Sequence, residues 1–126
     1  MHQLALGLAV LLALAIIVIG ALYVSRPRAI ARGFGLPLPE EGPNIEWWLR
    51  LKGVRDIGSG LIVLAVMTWA GSHVVGLVLL AAAVIPLGDM LVVLGGKGSG
   101  TTAFSVHGLT ALVMILAAVP LIIGTA

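Results

Sequence analysis

An all-α membrane protein, built as a four-transmembrane-helix bundle of two antiparallel hairpins, is the architecture expected from this sequence. Of its 126 residues 60% are hydrophobic and only 10% are charged, where a soluble domain carries roughly a quarter. Mean hydropathy is +1.20. The few charges are clustered, which leaves long uncharged runs near the roughly 20 residues that cross a bilayer as helix. No long internal repeat is present beyond the two-hairpin layout, and residues 1–126 read as a single domain.

The first helix is expected over residues 4–24, which hold no charge. A secretory signal peptide is the rival reading, but the segment lacks a basic leader and its apolar run exceeds a usual signal core. Residues 25–44 follow as a polar connection bearing Arg26, Arg28, Arg32, Pro37, Pro39, Glu40, Glu41, Gly42 and Pro43. Such residues break helices and prefer the surface.

The second helix is expected over 45–70. Asn44 is placed to cap it, and Glu46 lies in the first turn, where a carboxylate complements the helix dipole. Trp47 and Trp48 suit the aromatic belt at headgroup level. The clean apolar part is only Ile57 to Ala70, so the helix enters through Arg50, Lys52, Arg55 and Asp56. Gly71 and Ser72 turn the chain into a third helix over 74–94, with one charge, Asp89, and a kink expected from Pro86. Gly95 to Thr101 reads as a flexible loop. The fourth helix is expected over 102–125, with His107 as its one titratable group and a late Pro120.

Six of the Lys and Arg residues fall in the first connection and the start of the second helix, Lys97 lies in the third loop, and the second loop has none. Positive residues stay on the cytoplasmic side, so a multi-pass protein of the cell membrane with both termini outside is expected. The absence of cysteine excludes disulfides, thiolate metal sites and cysteine nucleophiles. A formal net charge of +2 is too small to argue for nucleic acid. Gly96-Lys97 invites a phosphate-loop reading, yet Leu91 stands where that motif needs glycine and Gly98 follows the lysine, so the motif fails. His2, His73 and His107 fall at different ends of the helices, which argues against a shared metal.

Depth singles out the chemistry. Counted from Trp47, Arg55 and Asp56 lie about 12 to 14 Å along the second helix, and Asp89 and His107 lie about 8 Å in from the same side. A charge inside a bilayer is costly and should turn inward and pair. Arg55 suits a carboxylate in a bidentate fork, and the pair expected across helices is Arg55 with Asp89. Asp56 would then meet His107 or a ligand, with Ser59 one turn away as a hydrogen-bonding neighbour. The bland alternative is that these groups only lock the helices in register. Glu46, Arg50 and Lys52 lie nearer the interface, where snorkelling and topology account for them. Gly53, Gly58 and Gly60 read as packing residues that let helices approach.

The order of residues resembles the small four-helix membrane family catalogued as domain of unknown function 4267. The features that carry the resemblance are Arg32-Gly33-Phe34-Gly35-Leu36-Pro37, Lys52-Gly53-Val54-Arg55-Asp56-Ile57-Gly58-Ser59-Gly60, Gly88-Asp89 and His107-Gly108. The resemblance implies the four-helix layout and a common role for Arg55, Asp56, Asp89 and His107. It names no reaction.

Three functions compete. The first is an enzyme of isomerase or cyclase type that acts on a small lipophilic molecule by acid–base chemistry, with no cofactor and no metal. Asp56 or Asp89 would be acid or base, His107 the partner and Arg55 the stabiliser of negative charge, while Ser59, Trp48 and Glu46 would contact substrate. The second is a proton-coupled transport or binding subunit, which at this size would need a homo-oligomer or a partner to enclose a path. The third is a structural or accessory membrane protein. The lipid bilayer and a small lipophile are the expected partners, and no nucleic acid is.

Overall fold

A computed structural model describes residues 1–38 and 41–124. Pro39 and Glu40 of the first connection, and Thr125 at the end of the fourth expected helix, lie outside the described residues. All regular structure among the described residues is helical: α1 (His2–Ser25), α2 (Pro27–Ala31), α3 (Ile45–Trp69), α4 (Ser72–Ala82), α5 (Val84–Gly95), α6 (Gly100–Thr102) and α7 (Leu109–Ile123), with a 3-10 turn at Arg32–Phe34 and a π turn at Ala103–Gly108. Three helical stretches, His2–Ser25, Ser72–Gly95 and Gly100–Ile123, are long and apolar enough to cross a membrane. Helix α3 is as long, at 25 residues, but its first half carries Glu46, Arg50, Lys52, Arg55 and Asp56.

The packing is that of small residues in lipid, where close backbone approach replaces the hydrophobic drive between helices. Ala5, Ala9, Ala13 and Gly20 form the buried side of α1. A Cβ on Gly20 would meet the Gly53 carbonyl and Ile57, and one on Gly60 would meet the Ala13 carbonyl. Helix α3 therefore lies along α1 in the opposite sense. Gly53 and Gly60 act as expected; a Cβ on Gly58 would meet nothing within 4 Å, so that glycine is not demanded by packing. The second contact joins α4 to α7, with Val75 and Leu79 buried against Ala117, Ala118 and Leu121. Large apolar side chains such as Leu11, Val18, Leu61, Ile62, Leu91 and Leu116 point outward instead. Helices apolar on all sides belong in a membrane.

Several local features depart from expectation. The connection after α1 was expected to break helices, yet Pro27 opens α2, because a proline at the first helical position loses no bond and its φ is already helical. Asn44 stands at the cap of α3 without a side-chain hydrogen bond; its carbonyl accepts from Trp48 N instead (3.2 Å). The third helix, by contrast, breaks where the kink was expected, with α4 ending and α5 beginning at Ala83. Pro86 is the cause, since it has no N–H for the Ala82 carbonyl and its ring crowds that group.

Candidate functional site

Two compartments meet at the end of the helices that carries the Lys and Arg residues. The inner one is a cavity of about 250 Å³ between α1, α3, α4, α5 and the start of α7. Leu12, Ile16, Val63, Leu79, Ala82 and Met114 line its deep half. Ser59 and Thr110 lie midway, but their hydroxyls donate to the carbonyls of Asp56 (2.8 Å) and Val106 (2.7 Å). The wall there is effectively apolar. Tyr23, Lys52, Asp89 and His107 lie at the other end of the same cavity, beside Gly33 and Phe34. The outer compartment is a groove lined by Trp48, Leu51, Lys52, Arg55, Asp56, Ile85 and Asp89. Lys52, Ile85 and Asp89 are common to both.

His107 is aimed by a device that periodicity does not reveal. It lies in the π turn, and its ring is buried. Single π turns inside α-helices change the direction in which later side chains point and recur at functional sites. Its Nε2 lies 2.8 Å from the Phe34 carbonyl. A carbonyl only accepts, so Nε2 carries the proton. Nδ1 then faces Asp89 Oδ2 at 3.9 Å, an approach longer than a hydrogen bond.

Phe34 reaches this position because the loop that carries it is pinned. Gly35 takes a left-handed φ of 99°, which a residue without Cβ adopts at no steric cost. Its carbonyl accepts from Ser99 N (2.7 Å). A Cβ on Gly98 would collide with that same carbonyl. The Phe34 ring packs on the His107 ring with centroids 4.6 Å apart.

Lys52 replaces Arg55 at the centre. Its Nζ donates to Asp56 Oδ2 at 2.6 Å and lies 4.7 Å and 5.2 Å from the ring centres of Tyr23 and Phe34. Both rings offer a negative face to the cation. The expected pair of Arg55 with Asp89 is not formed, nor does Asp56 meet His107. The reason is helical geometry. Adjacent residues point about 100° apart, so with Asp56 buried Arg55 is turned to the outer groove and is exposed. Lys52, four residues before Asp56, shares its face.

Of the remaining expected residues, Ser59 lines the inner cavity and Trp48 the outer groove. Glu46 reaches neither; it pairs with Arg28 (3.2 Å) and Arg50 (3.5 Å) beyond the site. Tyr23, Phe34 and Lys52 were not expected at the site. The four-residue spacing of Lys52 and Asp56 was a usable sign of the last, whereas Phe34 depends on a long-range contact. Among the described residues no group of three or more His, Cys, Asp or Glu side chains converges as a metal site would require.

Residues 13–121 match the family described as "Domain of unknown function (DUF4267)". Comparison with curated proteins and with solved structures gave no match.

Proposed function

Because the chain belongs to the DUF4267 family, whose description states no activity, we propose a function from the site itself: acid–base chemistry, of the isomerase or cyclase kind, on a small lipophilic molecule held among the helices. The observation that supports it is an apolar cavity whose ionisable groups are gathered at one end. A pocket with few, convergent polar groups is the usual form of a small-molecule site. An engineered apolar cavity of about 150 Å³ takes benzene, so about 250 Å³ suits a molecule of about ten non-hydrogen atoms.

Asp89 and His107 are the acid–base pair in this reading, because they face each other and both line the cavity. Asp56 holds Lys52 in place from behind. Arg55 and Trp48 serve the outer groove, where the molecule enters from the bilayer. Helix α3 is the fourth crossing, its charged half turned to the site and the interface, and the helices form two antiparallel hairpins in the cell membrane. The loop end is cytoplasmic and both termini lie outside.

Solvent extraction of protein purified in nanodiscs, followed by mass spectrometry, tests the reading. A lipophile of that size should co-purify with the wild type and be lost from an Ala82→Phe variant that remains folded, since Ala82 lines the deep half of the cavity. An extract that contains only bilayer lipid would count against a small-molecule site. A transport reading draws on the wall shared by the two compartments at Lys52, Ile85 and Asp89. It requires proton-driven solute flux in proteoliposomes.

A further inference from the structure

The charges at the polar end of the cavity restrict what can occupy it. Lys52 and Asp56 cancel each other across 2.6 Å, and Asp89 Oδ2 stands 3.9 Å from His107 Nδ1. An anionic head would meet the Asp89 carboxylate, and a cationic head would meet Lys52. Neither is favoured over a neutral molecule. An ammonium has three N–H donors and no acceptor. Only one donor is satisfied by Asp56; the rings of Tyr23 and Phe34 stabilise the charge without accepting a conventional hydrogen bond. Lys52 thus keeps N–H groups for an acceptor oxygen that enters the cavity, and a hydrogen bond from a charged donor is among the stronger ones.

Building on the acid–base reading above, we propose that the occupant is a neutral lipophilic carbonyl compound, with Lys52 donating to its oxygen and Asp89 and His107 moving a proton on the adjoining carbon. The Asp89 carboxylate removes that proton, the C–H electron pair becomes a C=C bond, and the carbonyl π pair moves to oxygen, where Lys52 donates. The proton passes to His107 Nδ1 or remains on Asp89. It then returns to the same carbon or, in an enone, to the far end of the conjugated system, and the carbonyl is restored. No oxidant, reductant or second substrate takes part.

The test uses full-length protein in nanodiscs with 1-decalone, its parent hydrocarbon decalin and decalin-1-carboxylic acid, with empty nanodiscs subtracted. Decalone should bind about tenfold or more tighter than either comparison compound, the value of one hydrogen bond to a charged donor. In heavy water the carbons flanking its carbonyl should gain deuterium, read by mass spectrometry. Asp89→Asn should abolish that exchange and keep the binding. Lys52→Arg should retain the preference for decalone. The double variant Lys52→Met with Asp56→Leu, which leaves no orphaned charge, should lose the preference and still bind decalin.

Equal binding of decalone and decalin, or tighter binding of the acid, would overturn the carbonyl assignment and leave the lipophile cavity standing. Decalone binding without deuterium gain would overturn the proton transfer. Failure of all three compounds to bind would instead remove the small-molecule reading on which this inference rests.

Discussion

The side chain with the most partners at the site is Lys52, which contacts Asp56, Tyr23 and Phe34 and lines both compartments. Its loss would leave the Asp56 carboxylate buried without a counter-charge. Breaking a buried pair from one side is costly, and since Lys52 itself is only partly covered we expect Lys52→Met to cost about 2 kcal/mol or more. Arg55→Ala, at an exposed position, should stay within about 0.5 kcal/mol. Thermal unfolding of both variants in one detergent checks the contrast; a larger loss for Arg55→Ala would restore the pairing expected from sequence. Arg and Lys near an Asp are legible as a cluster, but which cation turns inward depends on the rotation of α3. That rotation is set by Gly53 and Gly60 against α1, contacts more than thirty residues apart in sequence.

At the scale of helices, glycine and the π turn decide the geometry. A Cβ at position 53 would lie 2.5 Å from the Gly20 carbonyl, with backbone rather than a movable side chain in the way. Gly53→Leu should therefore separate α1 from α3 and cost at least the about 1–3 kcal/mol typical of overpacking. Gly58→Ala, with open space at that site, should be neutral or stabilise by up to about 1 kcal/mol through helix propensity. Denaturant or thermal midpoints of the two variants separate these outcomes. The turn at Ala103–Gly108 yields a different prediction. Deleting Ser105, an exposed residue of that turn, should restore regular α-helix and rotate His107 away from Asp89 and Phe34. Circular dichroism should then be unchanged while deuterium exchange into decalone falls to background; retained exchange would show that the π turn is not what aims His107.

For the whole molecule, all the Lys and Arg residues lie in α2, its flanking residues, the first half of α3 and the loop after α5. This asymmetry gives the orientation proposed above. Because the chain has no cysteine, single-cysteine variants report it without background. His2→Cys and His73→Cys should react with an impermeant maleimide applied to intact cells, and Lys97→Cys only after the cells are opened. The opposite pattern would invert the topology and place the entrance of the groove on the outer side.

Taken alone, the sequence determined what depends on solvent and on local period: an all-helical membrane chain, the positions of its long helices to within a few residues, the break near Pro86, and Asp56, Asp89 and His107 as buried or half-buried polar groups. These follow from hydropathy and from the cost of placing charge in lipid, both properties of a residue and its near neighbours. The partners of those groups were decided only by the tertiary structure. Lys52 rather than Arg55 meets Asp56, Asp89 rather than Asp56 meets His107, and the Phe34 carbonyl fixes the proton on His107, because helix rotation, a π turn and a pinned loop set side-chain direction through contacts that no local spacing encodes.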